Sequence, residues 1–283
     1  MSKRIPTITR KQMAALLKPR PRDSHKGMFG TAVIIGGAGG MTGAALLAGR
    51  AALKLGAGIV HVCLLDEHAP VVDMLQPELM LHRADEALRL PQPDVFAIGC
   101  GMGTSVPAYK LLYEALKLDC PLVLDADALN LLARHADLQD DLRRRTAPTL
   151  LAPHPAEAAR LLGSSTAAVQ ATREKAAQQL ARQLNCGVVL KGADSICVTR
   201  SGKTFVNRTG NPGMSAPGMG DVLTGMLAAF IAQGMAADDA LLLAVYLHGA
   251  AGDALAEQHA AIGMTATEVT EWARWLINQW LAQ

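Results

Sequence analysis

The sequence predicts a doubly wound α/β fold, a mostly parallel sheet with helices on both faces. Two observations lead there. Apolar runs of strand length alternate with segments of helical period, and polar, glycine-rich stretches stand at the ends of those runs. Strands joined by crossover helices form a parallel sheet covered on both faces, which is why such strands read as nearly unbroken hydrophobic sequence.

The order supports this. GTAVIIGG (30–37) is the first strand, and a helix follows over 42–56. GIVHVCLL (58–65) and DVFAIGC (94–100) are the next two, then a helical stretch at 107–118. PLVLDAD (121–127), TLLAPH (149–154) and GVVLKG (187–192) continue the rhythm, each separated by helical sequence. SICVTRSGKTFVN (195–207) breaks it, because two alternating runs flank Ser201-Gly202 as in a β-hairpin. After the hairpin the chain turns wholly helical, at 219–233, 237–258 and 266–281. No Pro- or Ser-rich linker and no repeat of solenoid period divides the chain, so residues 1–283 are expected to form a single domain.

Composition narrows the class. The chain has 283 residues, is 50% hydrophobic and carries a net charge of +2, enough apolar sequence for a core and no basic excess for nucleic acid or an anionic membrane. Arg143-Arg144-Arg145 is the densest basic run and reads as a solvated helix end. The five cysteines form no CxxC pair and mostly lie in or beside apolar runs, which suggests a reducing cytoplasm. Lys3, Arg4, Arg10, Lys11 and three prolines interrupt the first thirty residues, which excludes an ordinary signal peptide. The most apolar region, 44–65, contains Arg50, Lys54 and three glycines and is too broken to span a bilayer.

In an open parallel sheet, ligands bind beyond the carboxyl ends of the strands. Here those ends read GGAGGMTG, GCGMG, DADALN, APHPAE and KGAD. GGAGGMTG (36–43) lacks the dinucleotide fingerprint, since a GxGxxG begun at Gly37 meets Thr42. A glycine turn feeding the next helix can still let a ligand approach the backbone, or can serve strand-to-helix packing alone. SGKT (201–204) has the form of a P-loop's end, yet Cys197 stands where that motif needs glycine, so it reads as a hairpin turn. GCGMG (99–103) would let a ligand lie against bare backbone.

DADALN (125–130) is expected to place Asp125 and Asp127 on one side of a strand end, where facing acids need a metal, a donor or a shared proton between them. The alternative is that Asp127 caps the next helix and leaves Asp125 free. In HPAE (154–157), Pro155 suits a first helical turn and Glu157 its positive end, which puts His154 at the sheet edge. Lys191 and Gly192 in KGADS suit a phosphate or sugar, and a hairpin entry explains them as well. No HExxH and no ligand-spaced Cys/His set argues for zinc.

The most specific stretch is NPGMSAPGMGDVLTG (211–225). Gly213, Gly218 and Gly220 let backbone N–H groups converge on an anion at a helix N-terminus, where Asp221 would repel it. For simple nucleotide binding the acid is a liability. For phosphoryl transfer to a hydroxyl it is the natural base, taking the acceptor's proton while the helix end stabilises the transferred group.

A GxGD loop opening a late helix on such a sheet resembles the ribokinase-like superfamily, whose aspartate there is the catalytic base. GGAGGMTGAALLAGRAALKLGAGIVHV, GCGMG, DADALN, LAPHPAEAARLLG, VVLKGADS and NPGMSAPGMGDVLTG, in this order, closely resemble the ADP-dependent NAD(P)H-hydrate dehydratases over residues 25–255. The resemblance implies repair of hydrated NADH or NADPH by a dehydration driven by ADP or ATP, with Mg2+ offsetting phosphate charge. It implies that Ala45, Gly103 and His154 contact the hydrated dinucleotide and that Asp221 acts on its hydroxyl. Lys191, Gly192, Ala193, Asp194, Ser195 and Gly220 would bind the adenine nucleotide, with Asp125, Asn130, Asn211 and Gly218 as secondary candidates. No metal ligand is assigned. Further implications are a stand-alone dehydratase without the epimerase domain often fused in the family, a separate epimerase in the same pathway, and a homo-oligomer, a tetramer by resemblance. Two positions depart from the family pattern: Cys100 stands where proline is common, and Met219 where a small residue is usual. The rival readings are a small-molecule kinase of the same fold and a non-catalytic nucleotide sensor.

Overall fold

The computed structural model describes residues 5–259 and 261–282; Lys3 and Arg4, which entered the leader reading, lie outside them. Strands β1 (Thr31–Gly36), β2 (Ile59–Leu64), β3 (Met80–Arg83), β4 (Val95–Ile98), β5 (Leu122–Leu124), β6 (Thr149–Leu151), β7 (Gly187–Leu190), β8 (Ser195–Val198) and β9 (Thr204–Asn207) build one sheet. Their order is β3-β2-β1-β4-β5-β6-β7-β8-β9, parallel from β3 through β7 and antiparallel over β7-β8-β9. The Ser201-Gly202 turn joins β8 to β9, closed by Thr199 N–H donating to Lys203 O at 2.9 Å.

Alternate residues of β1 serve opposite faces. Ala32 and Ile34 belong to one core, Val33 and Ile35 to the other. The first core is completed by α1 (Arg10–Ala14), α2 (Thr42–Lys54), α9 (Met219–Ala232), α10 (Ala237–Gln258) and α11 (Ala266–Leu281). The second is covered by α3 (Val106–Ala115), α4 (Ala126–Arg134), α5 (Ala136–Arg144), α6 (Pro155–Leu161), α7 (Thr166–Ala171) and α8 (Arg173–Leu184). Two-sided burial is what makes these strands continuously apolar.

Several ends follow local chemistry. Ser105 caps α3 with proline in its first turn, and Thr265 with Glu268 forms a capping box on α11. Asn185 ends α8 in the left-handed region at φ 52°. Helices α2 and α9 approach closely because Gly225 has no side chain: a Cβ there would stand 2.1 Å from Ala48 O.

By length and composition α10 could cross a membrane, but Leu241, Leu243, Leu247 and Leu255 are buried in the first core. It is the core helix of this fold.

Three expectations need correction. Arg145, read as part of a solvated helix end, is buried, and its Nη1 donates to Leu116 O at 2.6 Å and Leu118 O at 2.8 Å. The edge strand β3 was not anticipated, because MLHR is four residues long and pairs on one side only. The fifth strand ends at Leu124, and Asp125 rather than Asp127 is the N-cap of α4, its carboxylate accepting from Ala126 N–H at 2.7 Å.

The chain leaves β1 to build β2 and β3 on one side, then returns to place β4 on the other. The switch point lies between β1 and β4, where such sheets open a crevice. There Gly37 N–H donates to Cys100 O at 2.9 Å and Ala38 N–H to Gly101 O at 2.6 Å, stitching the two glycine loops together.

Candidate functional site

A cavity of about 720 Å³ opens beyond the carboxyl ends of β5, β6 and β7 and against the start of α9. Its lining includes Asp125, His154, Lys191, Gly192, Ala193, Asp194, Ser195, Asn211, Gly220 and Asp221, which the sequence had singled out from four separate segments. Gly218 adjoins it as the N-cap of α9, in the left-handed region at φ 85°. A Cβ at Gly218 would also come within 2.5 Å of Leu47, so glycine is required twice over.

Asp221 is the third residue of α9, in the first turn where the free N–H groups and the helix dipole favour negative charge. Burial nevertheless raises its carboxyl to about 6. The neighbouring Cys100 thiol and the Lys191 ammonium pull it down, while Asp125 and Asp127 push it up. A carboxylate with its affinity for protons raised toward neutrality is suited to take one from a substrate hydroxyl.

Beneath Gly220 sits a buried ion pair. Lys191 Nζ donates to Asp125 Oδ1 at 2.6 Å, and Thr224 Oγ1 donates to Asp125 Oδ2 at 2.8 Å. Burial would lower the Lys191 ammonium, but Asp125 and Glu157 outweigh it and hold it above its usual value. A Cβ at Gly220 would lie 3.2 Å from Lys191 Nζ, so the missing side chain leaves the cation open toward the loop. A fixed cation under an N-terminal turn is a place for an anion, and a phosphate fits it.

The two acids of DADALN therefore diverge. Asp125 turns to Lys191 and Thr224, while Asp127 accepts from Gly103 N–H at 2.8 Å and from Asn130 Nδ2 at 3.1 Å. Each meets its own donor, so their expected mutual repulsion does not arise. Asn130 in turn accepts from Arg160 Nη1 at 2.8 Å, which ties Gly103 to α6 through two side chains.

His154 caps α6. Its Nδ1 accepts from Ala156 N–H at 3.1 Å and from Glu157 N–H at 3.3 Å, and Glu157 Oε2 accepts from His154 N–H at 2.8 Å. Since amides only donate, Nδ1 is bare and the ring hydrogen belongs on Nε2, 3.2 Å from Glu157 Oε1. Burial first, then Lys191 and Arg160, lower the imidazole's pKa and keep it neutral. Burial raises the Glu157 carboxyl to about 7.

Some sequence candidates stand apart from the lining. Ala45 is wholly buried in α2, and Gly103 and Asn130 lie beyond the cavity wall on the α4 side. Other residues were missed: Glu157 as a site carboxylate, the 207–210 turn, and Leu223, Val245, His248 and Gly249. In the sequence the helical ones read as ordinary core. The available signal was HGAAGD (248–253), whose glycines receive the loop: a Cβ at Gly249 would strike Thr209, and one at Gly252 would strike Met214. Asp253 fixes the same loop by accepting from Gly210 N–H at 2.8 Å and Asn211 Nδ2 at 3.1 Å. Burial lowers His248 to about 4.

Among the described residues no group of three or more His, Cys, Asp or Glu side chains could hold a metal ion by itself. That donor set fits a Mg2+ held mainly by phosphate oxygens and water, which needs only one or two protein carboxylates.

Comparisons with known proteins agree with this geometry. Residues 32–274 match the family model described as NAD(P)H-hydrate dehydratase. The chain is 40% identical over 268 residues to an ADP-dependent (S)-NAD(P)H-hydrate dehydratase of Neisseria meningitidis serogroup B, covering 93% of this chain and 90% of that one. It is also 40% identical over 267 residues to a bifunctional NAD(P)H-hydrate repair enzyme of Coxiella burnetii, covering 93% of this chain but 53% of the relative, about half its length. A crystal structure of the ADP/ATP-dependent NAD(P)H-hydrate dehydratase of Bacillus subtilis, co-crystallised with ATP/Mg2+, superposes with a TM-score of 0.87 at 30% identity, over 98% of this chain and 99% of that one.

Proposed function

The chain belongs to the NAD(P)H-hydrate dehydratase family, and from that premise we propose that it returns the S form of hydrated NADH or NADPH to the reduced dinucleotide, using ADP or ATP. It is then a hydro-lyase of metabolite repair. The observation that carries this reading is the placement of Asp221: a carboxyl raised to about 6, in the first turn of α9, beside the anion-ready surface of Gly220 and Lys191.

Asp221 takes the proton of the ring hydroxyl, whose oxygen attacks the terminal phosphorus of ADP, and AMP leaves. The ring nitrogen's lone pair then expels phosphate, and loss of a proton from the adjacent ring carbon restores the dihydropyridine. Hydrate and ADP give NAD(P)H, AMP and phosphate; with ATP the nucleotide product is ADP. Lys191 stabilises charge on the transferred group, and the KGADS turn at 191–195 with Gly220 holds the nucleotide. His154, kept neutral, lies at the hydrated-dinucleotide side, whereas Ala45 is wholly buried and Gly103 stands outside the cavity lining, so neither carries this reading.

Mg2+, when bound, offsets phosphate charge. Asp125 is taken by Lys191 and Thr224, Glu157 by His154, and Asp221 acts as base, so Asp194 is the lining carboxylate that would hold the ion, together with phosphate oxygens and water.

Four broader readings complete the proposal. Residues 1–283 form one domain, supported by the nine strands sharing one sheet. The protein works in the cytoplasm, supported by five buried cysteines, none in a disulfide. It forms a homo-oligomer, a tetramer by resemblance. A separate NAD(P)H-hydrate epimerase supplies its substrate, supported by the bifunctional relatives of about twice its matched length.

The test is stoichiometry. Incubation of NADH hydrate with ADP and Mg2+ should yield one phosphate and one AMP per NADH recovered. Accumulation of a stable phosphorylated product, with no recovered NADH, would identify a kinase instead.

A further inference from the structure

We propose that Arg173, at the start of α8, is a positioning residue for the nucleotide: its guanidinium holds the turn after β7 (191–195) by its carbonyls and leaves the turn's N–H groups for the ligand. This role rests on the reading of that turn as the nucleotide's binding segment. Arg173 itself is not part of the cavity lining.

Local chemistry does not account for an arginine there. It is the first residue of α8, where the free N–H groups and the helix dipole favour an acid. Its contacts across the fold do account for it. Arg173 Nη2 donates to Leu190 O at 3.1 Å and to Lys191 O at 3.3 Å, while Nη1 donates to Gln170 Oε1 at 3.1 Å and so fixes the guanidinium's orientation. Nε is buried and has no hydrogen-bond partner among the described residues. An unpaired buried donor is costly, so the guanidinium sits where the turn's carbonyls require it rather than where all its own donors are satisfied.

A turn that gives its N–H groups to a ligand must find separate donors for its carbonyls. Arg173 serves Leu190 and Lys191, and Ser195 Oγ donates to Gly192 O at 2.8 Å. Gly192 and Asp194 have positive φ, 133° and 53°. A Cβ at Gly192 would stand 3.1 Å from Arg173 Nη1, so the bare glycine lets the guanidinium press against the turn. The N–H groups of Gly192, Ala193 and Asp194 donate to no protein acceptor among the described residues, and all three residues line the cavity. Three successive free amides beside Lys191 suit phosphate or sugar oxygens.

The test compares the wild-type protein with Arg173→Met and Arg173→Lys, and with Arg145→Lys, which breaks a similar set of arginine-to-carbonyl bonds at the amino ends of the strands. ADP affinity is measured by calorimetry, KM for ADP and for NADH hydrate by recovery of NADH, and folding by thermal unfolding. Arg173→Met should raise the Kd and KM of ADP about tenfold or more and leave the KM of NADH hydrate within about twofold of wild type. Arg173→Lys keeps the charge without the planar fork and should recover part of the loss. Unchanged ADP affinity in whichever Arg173 variants fold, or an equal loss in Arg145→Lys, would overturn the proposal. Weakened ADP binding in Arg173→Met, from a protein whose wild type recovers no NADH, would uphold the role of Arg173 and reject the dehydratase reading.

Discussion

Asp221 carries opposed demands. Its carboxyl is raised from 3.8 to about 6, so the folded state binds a proton that the unfolded chain has already lost between those values. Stability therefore falls as pH rises through that window, and the full penalty persists above it. Asp221→Asn should abolish turnover by roughly 10²–10⁴-fold while leaving nucleotide binding intact. The same variant should be more stable than wild type at pH 8, by about 1–3 kcal/mol, with the advantage vanishing near pH 4; thermal unfolding at both pH values checks this, and equal stability at pH 8 would contradict it. Lys191 makes the opposite case. Lys191→Met leaves Asp125, which is 1% exposed, without its cation, and should cost about 3–5 kcal/mol in denaturant unfolding. Adding Asp125→Asn should recover part of that loss, because the isolated charge goes with it. The sequence showed both residues but not their pairing, since 66 positions separate them and only the β5 and β7 strand ends bring them together.

Among the elements, the packing of α9 on α2 decides where Asp221 stands. Val222, Met226, Leu227 and Phe230 are buried along α9, each contributing about 1.5–3 kcal/mol of apolar burial. Gly225 sets the helix separation, so Gly225→Ala should destabilise the protein by about 1–3 kcal/mol and displace the first turn, lowering kcat more than nucleotide affinity. Unchanged stability would mean that the helices part without cost. Most elements were legible because a buried parallel strand announces itself as an apolar run and its crossover helix as a period of 3.6. β3 was not, because Met80 is exposed and its two neighbours, Leu81 and His82, are only half-buried. The α4 cap stayed open between two readings for a related reason: two aspartates so close in sequence offer the same capping chemistry, and only Lys191 and Gly103, from other segments, decide which way each turns.

At the scale of the whole molecule, topology turns scattered residues into a site. Parallel strands deliver Asp125, His154 and Lys191 to one edge, and the late helix α9 brings Asp221 and the glycine loop to meet them. That much follows from the rule that ligands bind beyond the strands' carboxyl ends. The far wall did not, because Val245 and His248 belong to a helix whose sequence reads as core and whose 207–214 loop partner is fixed by Asp253 across 43 positions. The assembled cavity implies coupled chemistry, in which hydrated dinucleotide and nucleotide meet at Asp221 and neither is consumed alone. The most direct test is the recovery of reduced-nicotinamide absorbance from purified NADH hydrate with Mg2+ and ADP, ATP or no nucleotide, in wild type and Asp221→Asn. Recovery that requires a nucleotide and is lost in the variant is the predicted result; recovery without nucleotide, or undiminished in Asp221→Asn, would contradict the account.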